Sequence, residues 1–208
     1  MLILAGLGNP GVKYAGNRHN VGFLAVDEIR RRWSFGPERV RFQALASEGS
    51  IETPTGPVKA LALKPQTFMN ESGRSVGEAV KFYKLAPSDL VVFYDEIDMA
   101  PGRFRMKLGG GAAGHNGIRS IAASAVGPDF RRARIGVGHP GHKDAVMPHV
   151  LSDFHKIERR DWLDTLLVTL ADALPMLAVG DDEKYQAEVM RLAPSEKFDS
   201  RSRNRGDA

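Results

Sequence analysis

The 208-residue chain contains no cysteine. That absence excludes disulfide bonds, thiolate nucleophiles, thiolate zinc sites and iron–sulfur clusters. No apolar run reaches the roughly 18 residues that cross a membrane, and residues 1–6 lack the basic flank and the length of a secretion signal. Because 42% of the residues are hydrophobic and 26% are charged, the sequence predicts a soluble globular protein of the cytoplasm, without membrane association.

The charges are unevenly distributed along the chain. Between Arg103 and Lys143, eight Lys and Arg residues face one acidic residue, Asp129, so this segment has a net charge of +7, whereas the whole chain has +4. From Asp144 to Met190, ten acidic and four basic residues give a net charge of −6. Since phosphates attract Lys and Arg whatever the base sequence, the basic segment indicates a surface for nucleic acid. The alternative is that these charges only keep the protein soluble.

Apolar runs of strand length alternate with segments of helical periodicity. The predicted strands lie at 2–5, 41–46, 58–63, 90–94, 103–107 and 131–137, and the predicted helices at 20–32, 72–84, 116–126, 153–177 and 181–192. This order predicts a single α/β domain over residues 1–194, with a mixed twisted sheet and helices on both faces. The polar residues 195–208 are predicted to form a disordered tail.

Four polar residues stand where predicted strands end or a helix begins. Asn9 follows the first strand and Asn70 follows the third. Asp95 follows the fourth strand, and Asn116 opens a helix. In open α/β sheets, ligands bind outside the carboxyl ends of the strands, so we expect these side chains to line one crevice.

Two glycine-rich loops resemble nucleotide-binding motifs only in part. Residues 6–11 match G-x-G-x-x-G, but the chain continues as a loop to about residue 20, whereas a dinucleotide site needs a helix at the glycines. Residues 109–116 have the glycine spacing of a phosphate loop, but His115 and Asn116 replace the Lys and Ser or Thr. For this second loop two interpretations stay open: Asn116 only caps a helix, or the loop also binds a ligand through its amides.

His19 is the candidate proton acceptor, because histidine accepts a proton near neutral pH. The acidic residues Asp95, Glu96 and Asp98 follow a buried strand, and one carboxylate there would hold the imidazole as in hydrolytic triads. Without a cysteine or a serine in a nucleophile elbow, such a base would activate water directly. A structural histidine and a divalent metal site are the alternatives, but no spaced ligand set such as H-E-x-x-H occurs, and no metal is expected.

Six short motifs occur in order between residues 6 and 141. They are G-L-G-N-P-G-x-x-Y at 6–14, R-H-N-V-G at 18–22, K-P-Q-T-F-M-N-x-S-G at 64–73, D-E-I-D at 95–98, K-L-G-G-G-x-x-G-H-N-G at 107–117 and R-I-G-V-G-H-P-G at 134–141. Any one of them is weak evidence, but the ordered set is specific. Together they resemble the bacterial peptidyl-tRNA hydrolases.

The resemblance implies an enzyme that cleaves the ester between a peptide and the 3′ ribose of tRNA, and so recycles tRNA during translation. It implies that His19 is the general base for water, that Asp95 supports it, and that Asn9 belongs to the same catalytic group. The implied substrate-binding residues are Tyr14, Phe68, Met69, Asn70, His115 and Asn116, and the implied contacts to tRNA phosphates are Lys107 and Arg134.

The resemblance further implies a monomer that needs no cofactor and acts on peptidyl-tRNA in the cytoplasm. Ester hydrolysis has a good leaving group, so one activated water suffices without a covalent intermediate. Amide donors such as those of Asn70 or Asn116 would stabilise the charged carbonyl oxygen. The alternative is a non-catalytic RNA-binding relative of the same fold, which would not need the set formed by His19, Asp95 and the asparagines.

Overall fold

The computed structural model describes residues 1–193, and the predicted tail at 195–208 lies outside them. Its strands are β1 (Leu2–Gly6), β2 (Arg39–Arg41), β3 (Ala44–Ile51), β4 (Val58–Pro65), β5 (Leu90–Glu96), β6 (Phe104–Leu108) and β7 (Arg131–Gly136). They form one sheet in the order β2-β3-β4-β1-β5-β7-β6. The central pairs β4–β1, β1–β5 and β5–β7 are parallel, and the pairs nearer the edges are antiparallel. The predicted mixed sheet is confirmed.

Helices cover both faces of this sheet, as predicted. They are α1 (Val21–Arg32), α2 (Ser72–Tyr83), α3 (Asn116–Ala122), α4 (Val146–Val150), α5 (Lys156–Glu158), α6 (Asp164–Asp172), α7 (Leu174–Ala178) and α8 (Asp182–Leu192). Successive strand residues point to opposite faces. Leu2 and Leu4 therefore pack with α1, α6, α7 and α8, while Ile3 and Ala5 pack with α2 and α3. Among the described residues, no helix has the length and apolarity needed to cross a membrane.

The strand predicted at 41–46 is not continuous: residue 41 ends β2, and residues 44–46 open β3. A two-residue turn at Phe42 and Gln43, with φ of 54° and 52°, separates β2 from β3. Positive φ at both central residues is typical of hairpin turns that match the twist of the strands. The usual Asn-Gly or Asp-Gly signal is missing, and Phe42 is buried like a strand residue, so the sequence pattern concealed the turn.

Two helix predictions also need correction. The helix predicted at 116–126 ends at Ala122. The single helix predicted at 153–177 consists of α5, a π-helical turn at Arg159–Leu163, α6 and α7. The helix is interrupted between α6 and α7 at Ala173. Pro175 follows two residues later, and its ring excludes the backbone hydrogen bond of a continuous helix. Helix α4 was not predicted.

Candidate active site

The loops that leave β1, β4 and β5 meet at one edge of the sheet. These three strands are parallel neighbours, so their carboxyl ends lie side by side. The loop after β1 carries Asn9, the turn after β4 carries Met69 and Asn70, and β5 itself carries Asp95. His19 lies in the 3₁₀ turn that precedes α1. The predicted crevice residues are therefore brought together.

Two glycines bring His19 close to this edge. A Cβ on Gly22, in the first turn of α1, would lie 2.2 Å from the carbonyl oxygen of Phe93 in β5. A Cβ on Gly6 would lie 2.2 Å from the carbonyl oxygen of Gly22. Only glycines allow the start of α1 to touch the sheet this closely. The turn that holds His19 is thereby pressed against the end of β5, where Asp95 lies.

Asp95 is buried between two imidazoles. Nδ1 of His19 lies 2.9 Å from both carboxylate oxygens of Asp95. Nε2 of His115 lies 3.0 Å from Oδ1 of the same carboxylate. The ring of His115 also packs against Tyr94, with ring centroids 4.9 Å apart. The predicted pair of His19 and Asp95 is formed, and His115 makes it a trio.

The hydrogen bonds determine where the protons are. The backbone N–H of Ile118 donates to Nδ1 of His115 at 3.3 Å, so the ring proton of His115 is on Nε2, facing Asp95. A carboxylate only accepts hydrogen bonds, and Nδ1 of His19 therefore also carries a proton. This leaves the lone pair of neutral His19 on Nε2. Within residues 1–193, no protein group hydrogen-bonds that atom, and the His19 side chain faces two cavities.

The electrostatics favour an ionised Asp95 and a basic His19. Burial lowers the pKa of His19, but the charge and hydrogen bond of Asp95 outweigh this effect and raise that pKa above its usual value of 6.5. Burial also acts to raise the pKa of Asp95, yet His19 and His115 hold that pKa well below its usual range. Asp95 therefore stays charged and stabilises a proton on His19.

Asn9 is fixed so that it presents its NH₂ group. Its Oδ1 accepts a hydrogen bond from the backbone N–H of Met69 at 2.9 Å, and its Nδ2 is left as the free polar end. Asn20 holds the backbone of Asn9 through two hydrogen bonds of 2.9 Å, one in each direction. Sequence reasoning gave Asn20 no role; its only signal was its place in the R-H-N motif.

Two cavities meet at His19. The cavity of about 460 Å³, here called the imidazole cavity, is bounded by residues that include His19, Asp95, His115, Ile97, Val146 and Met147. The cavity of about 450 Å³, here called the amide cavity, is bounded by residues that include His19, Asn9, Asn70, Tyr14, Phe68 and Leu151. Asn116 and Met147 contact both. A substrate that spans the two cavities would pass Nε2 of His19.

The predicted substrate-binding residues lie around these cavities in different ways. Phe68 is 56% exposed at the wall of the amide cavity, and Asn70 is exposed at the same wall. Asn116 accepts a hydrogen bond from Arg119 on Oδ1, at 3.2 Å, so its NH₂ group is the free end. Both nitrogens of His115 are engaged in hydrogen bonds within the protein, so only the face of its ring is available for contact with a substrate.

The two predicted phosphate contacts lie on the paired strands β6 and β7. Lys107 is exposed on β6. Arg134 is half-buried on β7, where its Nη2 lies 2.9 Å from Oε2 of the buried Glu96. Glu96 therefore neutralises part of the charge that Arg134 would offer to a phosphate. The role of both residues in binding tRNA stays a prediction.

The trio of His19, Asp95 and His115 also has ligand atoms within 4.8 Å of one another, close enough for a metal ion. A metal ligand needs a free lone pair. In His115, Nδ1 accepts the amide of Ile118 and Nε2 carries a proton. The trio is a hydrogen-bonded chain, and it does not fit the donor set of a metal site.

An imidazole with a free nitrogen, backed by a buried carboxylate and open to a cavity with amide donors, is an arrangement typical of hydrolases. A family model described as peptidyl-tRNA hydrolase matches residues 3–198. The peptidyl-tRNA hydrolase of Phenylobacterium zucineum is 69% identical over 206 residues, 99% of this chain and 98% of that protein. That of Caulobacter vibrioides is 68% identical and covers 100% of both chains.

Solved structures agree with the sequence comparison. The crystal structure of peptidyl-tRNA hydrolase from Acinetobacter baumannii has a TM-score of 0.85 at 36% identity, covering 94% of this chain and 97% of that one. The chain belongs to the peptidyl-tRNA hydrolase family. The prediction of family and enzyme class from the six sequence motifs is confirmed.

Proposed function

We propose that this enzyme hydrolyses peptidyl-tRNA by direct attack of water on the ester, with His19 as the general base. The observation that carries the proposal is the orientation of His19. Its Nδ1–H is directed at Asp95 at 2.9 Å, its Nε2 has no hydrogen-bond partner among residues 1–193, and its side chain borders two cavities. A general base needs this combination of a fixed ring and an available lone pair.

The reaction starts when Nε2 of His19 takes a proton from water as the oxygen attacks the ester carbonyl. Asp95 stabilises the imidazolium that forms, as the raised pKa of His19 indicates. The tetrahedral intermediate then expels the 3′ oxygen of the ribose, which takes the proton back from Nε2. The products are the peptide carboxylic acid, which releases its proton to solvent to become a carboxylate, and tRNA with a free 3′ hydroxyl. His19 returns to its neutral form.

Amide groups stabilise the negative charge on the carbonyl oxygen. The amide oxygens of Asn9 and Asn116 accept hydrogen bonds from Met69 and Arg119, respectively. These bonds fix the orientation of each amide, so the free NH₂ groups are oriented before substrate binds. One such oriented donor typically contributes about 10²- to 10³-fold in rate. This fixed orientation supports the assignment of Asn9 to the catalytic group.

The amide cavity binds the peptide part of the substrate. Asn70 binds its backbone, since an amide both donates and accepts hydrogen bonds. The half-buried ring of Tyr14 and the exposed ring of Phe68 contact its side chains. Recognition of the backbone explains how one enzyme accepts many peptides. Met69 contributes its backbone N–H to Asn9 and its side chain to the wall.

The tRNA binds through its phosphates to the basic segment that contains Lys107 and Arg134. The net charge of +7 between residues 103 and 143 supports this part of the proposal. We further propose that the enzyme acts as a monomer in the cytoplasm. We also propose that it needs no cofactor, because His19, Asp95 and the amide donors supply the groups that the reaction requires.

The test is release of labelled peptide from peptidyl-tRNA by wild type and by His19→Ala. We expect His19→Ala to lose at least about 10²-fold in kcat and to retain tRNA binding. The matched control is His142→Ala, at an exposed histidine, which we expect to keep wild-type turnover, and chelator should not affect any of the three proteins. Equal kcat for His19→Ala and wild type would refute the assignment of His19 as the general base. Binding of peptidyl-tRNA without turnover by wild type would favour the non-catalytic alternative.

A further inference from the structure

The turn that ends in His19 is joined to a distant part of the chain through Arg18. The guanidinium of Arg18 donates to Ser152 Oγ at 2.7 Å, to the carbonyl of Asp153 at 2.9 Å and to Glu158 Oε2 at 2.6 Å. Arg18 is only 5% exposed. The same guanidinium donates to the carbonyl of Ser152 at 3.3 Å. A buried arginine with these four acceptors fixes the position of the backbone on both sides.

Neighbouring contacts strengthen the same connection. The backbone N–H of Arg18 donates to the carbonyl of Ser152 at 3.0 Å, and that of Phe154 donates to the carbonyl of Gly16 at 3.0 Å. Nδ2 of Asn17 lies 2.6 Å from Oδ1 of Asp153. We call this set, residues 16–18 with residues 152–154 and Glu158, the Arg18 junction.

The junction connects two walls of the active site. On one side, His19 directly follows Arg18. On the other side, Ser152 closely follows α4, whose Met147 and Val150 contact the imidazole cavity, and Leu151 contacts the amide cavity. The distance between the catalytic imidazole and this wall therefore depends on the junction.

The carboxylate of Glu158 is fixed by more than one hydrogen bond, although Glu158 takes no part in the chemistry. Its Oε2 also accepts the backbone N–H of His155 at 2.8 Å, which fixes the carboxylate toward Arg18. The π-helical turn at Arg159–Leu163 begins directly after Glu158. Such turns are rare and occur frequently at functional sites, which is a second indication that the orientation of Glu158 matters.

We propose that Arg18 and Glu158 are positioning residues for the hydrolysis, acting by setting the separation between His19 and the wall formed by α4. The inference rests on the proposed function, because it assigns the junction to the geometry of the step in which His19 activates water. Removing the junction lets α4 shift against His19, and the water and ester between them lose their alignment. A displacement of about 1 Å can cost about 10²-fold in rate.

The test compares Arg18→Gln with Arg131→Gln. Arg131 is a comparably buried arginine that contacts neither cavity. Although it lies in the basic segment, its guanidinium is paired with Asp182 and bonds the carbonyl of Leu177, so we do not count it among the groups that meet tRNA phosphates. We expect both variants to lose thermal stability. At a temperature well below both transitions, kcat of Arg18→Gln should fall by about 10- to 100-fold, with unchanged tRNA affinity, and kcat of Arg131→Gln should stay within about twofold of wild type.

Two further variants keep the inference testable if Arg18→Gln does not fold. Arg18→Lys keeps the charge for Glu158 but loses the planar fork, so we expect partial recovery of kcat relative to Arg18→Gln. Ser152→Ala removes one acceptor at an exposed residue, and we expect about a threefold loss of kcat. Wild-type kcat in Arg18→Gln or Ser152→Ala would overturn the inference, as would an equal loss in Arg131→Gln. Absence of turnover in wild type would instead refute the proposed function.

Discussion

Replacing Asp95 with asparagine tests the hydrogen-bonded trio most severely, because the two side chains have nearly the same shape. In the trio, Asp95 accepts from Nδ1–H of His19 and from Nε2–H of His115. Asparagine has one accepting oxygen and one donating NH₂ group. His115 cannot change its proton, since its Nδ1 accepts the amide of Ile118. The oxygen of the new amide must therefore take the place of Oδ1, which lies 3.0 Å from Nε2 of His115 and 2.9 Å from Nδ1 of His19. Its NH₂ group then takes the place of Oδ2, 2.9 Å from the same Nδ1 of His19.

An NH₂ donor opposite Nδ1–H is repulsive, and this contact favours the tautomer of His19 that carries its proton on Nε2. In that tautomer Nε2 cannot accept a proton from water. The charge that raises the pKa of His19 is lost at the same time. General-base catalysis typically contributes about 10²- to 10⁴-fold in rate, so we expect kcat of Asp95→Asn to fall by that factor. This loss corresponds to about 3 to 5 kcal/mol in activation free energy.

The assay is the pH dependence of peptide release at saturating peptidyl-tRNA. A general base is active when neutral, so wild-type kcat should rise with pH through a pKa above 6.5, the value from which Asp95 raises it. In Asp95→Asn the residual activity should rise at a lower pH than in wild type, because burial then lowers the pKa of His19 unopposed. Asp98→Asn, at an exposed carboxylate in the turn that follows β5, is the matched control. If kcat of Asp95→Asn stays within threefold of wild type, and if kcat rises over the same pH range in both proteins, the role of Asp95 in supporting His19 is refuted.

Three other changes give distinct outcomes. Asn9→Asp should lower kcat by about 10²- to 10³-fold at unchanged tRNA affinity, because a carboxylate replaces the NH₂ donor; an unchanged kcat would contradict that role. Lys107→Ala should reduce the slope of log affinity for tRNA against log salt by about 0.9, measured by binding titrations, and an unchanged slope would remove the phosphate contact. Gly22→Ala should lower the free energy of unfolding by about 3 kcal/mol in denaturant titrations, because its Cβ would lie 2.2 Å from a carbonyl oxygen, whereas Gly111→Ala, with open space around it, should not.

The sequence predicted the parts of the fold that depend on apolar periodicity. The central strands and α2 lie close to the expected ranges, because burial on a sheet face or a helix stripe leaves a clear pattern. The turn at Phe42 and Gln43 was missed, because neither residue carries the usual signal for positive φ. The π-helical turn at Arg159–Leu163 was missed as well, since its residues continue the helical pattern.

The sequence indicated which residues belong to the candidate site but not how their side chains contact one another. Strand ends and motif resemblance pointed to His19, Asp95 and Asn9. The contact of Asp95 with His115 was not foreseen, because the two residues are 20 positions apart, one on β5 and the other at the N-cap of α3. The roles of Asn20 and Arg18 were also beyond sequence reasoning, since they depend on backbone groups that come close only in the folded chain.

The position of the ring proton on His19 is the most direct test of this account. Long-range ¹H–¹⁵N correlation spectra of the wild-type enzyme distinguish the two neutral forms of an imidazole and follow its titration. With Asp95 accepting from Nδ1, the neutral ring should carry its proton on Nδ1, leave Nε2 bare, and titrate above pH 6.5. A neutral ring protonated on Nε2, or a titration below pH 6.5, would contradict the assignment of His19 as the base.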